Sequence, residues 1–164
     1  MAVSTKDYAS VLNDLIETNK DAEQGFRQAA EGVKNPSLQK LFLEYSRQRS
    51  QHAAELQVVV ARIGQDPEKS GSVSGAMHRG WMNMKSAVTG KDDHAILAEA
   101  ERGEDIAVKA YQDALGKELP TDLRSIVNQQ YQTISQAHNK IRSLRDGSEY
   151  GEINYTPDLE ETRK

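Results

Sequence analysis

The amino-acid sequence predicts an all-α fold: four long helices packed as a bundle, with a short extra helix in the long connection between the second and the third. Three observations predict it. Apolar residues recur at three- and four-residue spacing through four long stretches, the period of a helix that buries one face. Proline, glycine, asparagine and aspartate interrupt that pattern where the stretches must begin and end. Charged residues make up 28% of the chain and aromatic residues only 5%, a balance that suits helices and leaves little of the aromatic material that sheets pack with. At 164 residues the chain fits one domain and is long enough to close one core.

The first long helix is expected from about Thr5 to Val33. Ser4 and Asp7 resemble a capping box with Asp in place of the usual Glu. Tyr8, Val11, Leu12, Leu15, Ala22, Phe26, Ala29 and Val33 form the apolar stripe. Asn35-Pro36 reads as an N-cap followed by proline at the first helical position. The second helix runs to about Ile63 on Leu38, Leu41, Phe42, Tyr45, Leu56, Val59, Val60 and Ile63, and Gly64 stops it. So short a linker makes the two helices antiparallel neighbours. From Gln65 to Lys91 the pattern loosens, with loop signals at Asp66-Pro67 and Ser70-Gly71-Ser72. Within it Ala76, Met77, Gly80, Trp81, Met84 and Val88 predict the short amphipathic helix. Its Met77, Trp81 and Met84 stripe is read first as the patch that seats it on the bundle and second as a self-association face.

Asp92 and Asp93 cap the third long helix, which continues to about Leu115 on Leu97, Ala100, Ala107, Val108, Tyr111 and Leu115, and Gly116 ends it. Pro120 opens the fourth, with Leu123, Val127, Tyr131, Ile134, Ile141 and Leu144 inward and Gly147 as the stop. Residues 1–147 are thus expected to form the bundle, and 148–164, with turn residues and an acidic excess, a mobile tail. The order is short loop, long connection, short loop. The long middle connection permits a crossover along the bundle, with up-down-up-down order as the alternative.

Charge and composition exclude several functions. A net charge of −4 with no basic patch argues against nucleic-acid binding. The absence of cysteine excludes disulfides, thiolate zinc sites and thiol catalysis. No apolar run approaches the length of a membrane span, and the first residues lack the pattern of a signal peptide. The expectation is a soluble, cytoplasmic protein. There is no phosphate-binding glycine loop and no nucleophile elbow.

The apolar stripes have holes, and the holes hold chemistry. They are Asn19 on the first helix, Arg49 and His52 on the second, Glu104 on the third, and His138 with Ser135 beside it on the fourth. All lie near mid-helix, so a polar belt is expected across the core. That is the layer in which four-helix proteins build di-metal centres, with a Glu on two helices and Glu-x-x-His on the other two. Here the four helices offer Asn19, then Arg49-Ser50-Gln51-His52, then Glu104, then Ser135-Gln136-Ala137-His138.

On Arg102-Gly103-Glu104 and His138 the chain resembles rubrerythrin-like members of the ferritin superfamily. It is closer still to an uncharacterised bacterial family of four-helix-bundle proteins, known as a domain of unknown function. Leu12-Asn13-Asp14-Leu15-Ile16-Glu17, His78-Arg79-Gly80-Trp81 and Glu101-Arg102-Gly103-Glu104-Asp105 carry that similarity. The resemblance implies a ferritin-like four-helix bundle and no settled activity.

The departures from the di-iron pattern decide between readings. Two adjacent divalent ions need several anionic ligands, but Asn19 and Ser135 are neutral and Arg49 is a fixed cation aimed at the same space. Di-iron oxidase or ferroxidase activity is therefore not expected. The favoured reading is a structural network in which Arg49 pairs with Glu104 and the histidines and Asn19 satisfy the remaining groups. It makes the chain a non-enzymatic bundle with a degenerate di-metal site and no cofactor, acting by self-association or through a protein partner. The alternative is one Zn or Fe ion on His52, Glu104 and His138. His78 and His94 are read as surface or capping residues. Tyr45, Tyr111 and Tyr131 are read as core residues whose hydroxyls reach the belt.

Overall fold

The computed structural model describes residues 4–71, 80–90 and 92–147. Five helices form in them: α1 (Thr5–Gly32), α2 (Pro36–Arg62), α3 (Met84–Gly90), α4 (Asp93–Leu115) and α5 (Thr121–Asp146). The four long ones fall within a residue of their expected bounds, and there is no strand among the described residues. None of these helices is long and apolar enough to cross a membrane.

The caps follow the chemistry of the terminal residues. Ser4 Oγ accepts from the Asp7 amide at 3.2 Å while Asp7 Oδ2 accepts from the Ser4 amide at 3.3 Å, which completes the capping box. Asn35 Oδ1 accepts from the Ser37 amide at 2.8 Å, and Pro36 follows as the first residue of α2. Gly64 takes a left-handed φ of 82° just after α2, a backbone conformation that a residue with a side chain adopts only under strain. Asp92 caps α4 through the His94 amide. Asp93 acts differently from the expected second cap: its two oxygens accept from the Lys34 and Asn35 amides at 2.8 and 3.0 Å, tying the α1–α2 turn to the start of α4.

Each long helix buries a stripe that alternates steps of three and four residues, the spacing that keeps one face on a partner along nearly parallel axes. On α4 it is Leu97, Ala100, Glu104, Ala107, Tyr111 and Ala114; on α5 it is Leu123, Val127, Gln130, Ile134, Ala137, Ile141 and Leu144. On α1 and α2 the same rhythm places Asn19 and Arg49 among buried apolar residues.

Paired contacts fix the directions. Asn35 meets Asp93 at one end of the bundle, and Asn19 meets Tyr111 farther along, so α1 and α4 are antiparallel. Arg49 reaches Glu104, which makes α2 and α4 parallel. With short turns inside each hairpin, the order is up, down, down, up. The connection after α2 therefore has to travel the length of the bundle, and its described parts lie against α1. Asn13 holds it near the start, donating to the Asp66 carbonyl at 3.1 Å and accepting from the Glu68 amide at 2.8 Å. Trp81 then meets α1 at Gly25, and Val88 meets it at Gly32.

Trp81 is the rivet of this crossing. Its indole lies between Gly25 of α1 and Gly103 of α4; a Cβ on either glycine would fall 2.2 or 2.3 Å from an indole carbon. The ring meets Phe26 edge-on at 5.0 Å between centroids. Trp81 and Met84 are buried, so they seat the connection on the bundle, as read from the sequence. The expected helix differs in one respect: residues 81–83 form a turn and α3 starts at Met84, so Trp81 enters the core from a turn. Ala76, Met77 and His78 of that expected helix, and the tail 148–164, lie outside the described residues.

Candidate functional site

The polar residues of the helices divide into three sets. The innermost is an ion pair. Arg49 Nη1 and Nη2 donate to the two oxygens of Glu104 at 2.7 and 2.6 Å, and both side chains are 0% exposed. This is the two-pronged geometry that suits guanidinium to carboxylate. Arg49 Nε donates to Gln48 Oε1 at 3.0 Å, and Arg49 Cζ stands 5.2 Å from the Phe26 ring centre, where the π face meets the cation. The charges are thus matched and the guanidinium is clasped on several sides. Burial and the Glu104 charge push the nearby Tyr45 phenol well above its ordinary range.

The second set is a chain of hydrogen bonds between α1, α4, α5 and α2. Asn19 Nδ2 donates to the Leu15 carbonyl at 2.8 Å and to the Tyr111 hydroxyl at 2.7 Å. Tyr111 donates to Gln130 Oε1 at 2.6 Å, and Gln130 Nε2 donates to Glu55 Oε1 at 2.8 Å and to the His52 carbonyl at 3.3 Å. Burial raises the Tyr111 phenol above its ordinary range, so it stays a neutral donor. The Thr133 hydroxyl gives its proton to the Gln130 carbonyl at 2.9 Å. It therefore accepts from His52 Nε2 at 3.2 Å, which assigns the ring proton to Nε2. Among the described residues no partner reaches His52 Nδ1 or Asn19 Oδ1. Burial first, and the Arg49 charge second, lower the His52 pKa to about 4, so the ring is neutral at ordinary pH.

The third set lies on the seam between α4 and α5. His138 Nε2 is 2.5 Å from Asp105 Oδ1 and 3.7 Å from Glu101 Oε2. Glu101 and Asp105 are four residues apart and so share one face of α4. Arg145 Nη1 binds the other Glu101 oxygen, Oε1, and Arg142 Nε stands 3.9 Å from Oε2. Glu101 is buried, whereas the Asp105 side chain is 58% exposed. Among the described residues, Glu101, Asp105 and His138 are the group of potential metal ligands whose donor atoms converge, all within 4.8 Å of one another.

The residues singled out in the sequence are distributed over these sets. Arg49 and Glu104 come together. Asn19 and His52 belong to the hydrogen-bonded chain. His138 turns to the seam, so His52, Glu104 and His138 do not gather around one point. The reason is helical phase: Ala137, one residue earlier, holds the core position on α5, and His138 stands at the edge of the stripe. Ser135 is half-buried beside the stripe, and Gln130 supplies the α5 polar group in the core. Glu101 and Asp105 stand out in the sequence only as parts of the family motif, and Gln130 does not stand out as a site residue. The unbroken three-and-four rhythm from Leu123 to Leu144 points to Gln130, and the four-residue spacing of Glu101 and Asp105 marks a shared face. Tyr111 does reach the polar groups with its hydroxyl, whereas Tyr131 receives its bond from Gln112 at 3.1 Å on the outside.

The donor set of the central layer does not fit two metal ions. Three of its positions are Asn, Arg and Ser, and the one central carboxylate has both oxygens on Arg49. A metal there requires displacing a buried guanidinium from its one anionic partner among the described residues, at a cost in uncompensated charge.

The motifs that stand out in the sequence now have structural roles. In Leu12 to Glu17 the apolar residues are core and Asn13 pins the crossing segment. Gly80 packs on Gly103, and Trp81 fills the space that Gly103 leaves. Glu101, Glu104 and Asp105 anchor the seam and the central pair. No curated protein matches the chain. The sequence profile of a family described as a domain of unknown function (DUF2383) matches residues 7–117, from the first turn of α1 to just beyond α4, and the chain belongs to that family.

Proposed function

We propose that this chain is a ferritin-like bundle whose metal layer has been replaced by a buried ion pair, and that it acts without catalysis, as a rigid body for contact with a second copy or another protein. The observation that carries the reading is the grip of Arg49 on both oxygens of Glu104, the carboxylate that a di-metal centre would need first. The up-down-down-up order with one long crossover supports the ferritin-like assignment, since that is the connectivity of such bundles. A single ion on His52, Glu104 and His138 is the poorer reading. It requires Arg49 to leave Glu104 and His138 to leave Asp105, and it would set the ion beside a stranded guanidinium.

The test is aerobic iron oxidation. Fe²⁺ added to the metal-free protein should be oxidised no faster than in buffer alone, and no absorption of an oxo-bridged ferric pair should develop. Oxidation tenfold above the buffer rate would overturn the reading. Sedimentation addresses the contact role: a self-associating species or a stable complex is expected, and a chain that stays monomeric with no partner counts against it.

A further inference from the structure

We propose that Glu101, Asp105 and His138 form a site for a single divalent transition-metal ion of the zinc class, separate from the central layer and built on the seam between α4 and α5, with one ligand open to solvent. The argument begins with the donor atoms. Imidazole nitrogen and two carboxylate oxygens are a ligand set for zinc and its neighbours, whereas an all-oxygen site would suit magnesium or calcium. His138 Nε2 already lies 2.5 Å from Asp105 Oδ1 and 3.7 Å from Glu101 Oε2. Donors of one tetrahedral zinc stand about 3.4 Å apart, because each bond is roughly 2.1 Å long. The ring and Asp105 thus need to part by about 1 Å, and Asp105 is free to do so on the solvent side.

The surroundings support this use. Arg145 binds Glu101 through Oε1, which leaves Oε2 for the ion and holds the carboxylate in place. Outer partners of that kind orient metal-bound carboxylates and raise affinity. Asn139 Oδ1 stands 3.5 Å from His138 Nδ1, on the far side of the ring from the ion. Asp105 is the exposed member, with 58% of its side chain open, so the fourth position faces water and the ion has an entry path. Arg142 and Arg145 are the opposing charges: Arg145 is shared between Glu101 Oε1 and Asp146, and Arg142, 3.9 Å from Glu101 Oε2, has a side chain that is 57% exposed and can swing into solvent. Arg49 and Glu104 take no part, so the site neither needs nor disturbs the central pair.

The test uses the full chain stripped of metal and titrated with Zn²⁺ alone by calorimetry, with Co²⁺ absorption as a second readout of coordination. One ion per chain is expected. His138→Gln and Asp105→Asn should each weaken binding tenfold or more, His52→Gln should leave it unchanged, and Arg142→Gln should tighten it severalfold. Should His138→Gln fail to fold, Asp105→Asn, on an exposed carboxylate, carries the decision. Wild-type protein that takes up no zinc at micromolar concentration, or zinc binding that survives Asp105→Asn undiminished, overturns the proposal. Binding lost with His52→Gln and kept with Asp105→Asn places the ion in the interior and overturns both this site and the non-catalytic reading of the central layer. Failure of the seam site alone leaves that reading standing.

Discussion

Glu104 and its neighbours Glu101 and Asp105 stand within two turns of α4, yet they meet cations in opposite ways. Glu104 faces the core, where Arg49 is held at 0% exposure with both oxygens in use. Neither partner can leave, because the other would be stranded in a medium that does not solvate it. Glu101 and Asp105 face the seam, where each keeps an oxygen within reach of His138 and one of them is open to water. There a ligand can be exchanged at small cost, because solvent takes up the released group. The chemistry of a carboxylate on this helix is therefore set less by its spacing than by whether water can replace its partner.

The strongest way to break the comparison is to remove the interior cation. Arg49→Met leaves Glu104 buried without a partner, and the expected loss is about 3–5 kcal/mol in urea unfolding. Arg49→Met with Glu104→Leu should recover most of it, since apolar packing of similar volume does as well as a buried pair. A single variant as stable as wild type would show that the pair is not sealed from water.

The interior also has a pH signature. His52 titrates at about 4 in the folded chain and near 6.5 when unfolded. Between those values the unfolded state binds more protons than the folded one, so stability falls as pH drops through the window. The full effect is about 3 kcal/mol, and it levels off below about pH 4, where both states are protonated. His52→Gln should flatten this part of the curve of unfolding free energy against pH. A slope unchanged by that substitution would mean that His52 is hydrated.

A smaller effect tests how tightly the inner face of α4 is closed. Gly103→Ala puts a Cβ 2.3 Å from Trp81 Cε2, and the indole has to move. Overpacking of this kind costs about 1–3 kcal/mol. The chain has a single tryptophan, so its fluorescence should shift to the red as the ring is pushed toward solvent. Unchanged emission with unchanged stability would place Trp81 outside the α1–α4 contact.

Much of this architecture was legible in the sequence, because caps, stops and helical periodicity are local. Ser4, Asn35, Gly64 and Gly147 mark helix ends at or within a residue of the observed ones. Arg49 and Glu104 were legible as a pair because each interrupts an otherwise apolar stripe, and a buried charge needs its opposite. The direction of α4 was not, since a long connection permits either order and the choice rests on contacts such as Asn35 with Asp93. Nor was the seam. His138 and Ala137 are adjacent, and about 100° of rotation about the helix axis separates a core position from its edge. An edge residue can turn either way, and the partner that turns it, Asp105, lies on another helix.

The smallest expected change isolates the seam from the fold. Asp105 is more than half exposed, and asparagine keeps an acceptor oxygen for His138, so Asp105→Asn should alter stability by under about 1 kcal/mol in metal-free buffer. With zinc present the same substitution should matter more. An ion that binds only the folded chain at a hundred times its Kd stabilises it by about 2.7 kcal/mol, and tenfold weaker binding leaves about 1.4. Wild type and variant should therefore melt together without zinc and apart with it. Equal melting under both conditions would mean that Asp105 serves only as the surface partner of His138. Separation without zinc would mean that the seam is part of the packed structure and that the contrast with Glu104 is one of degree.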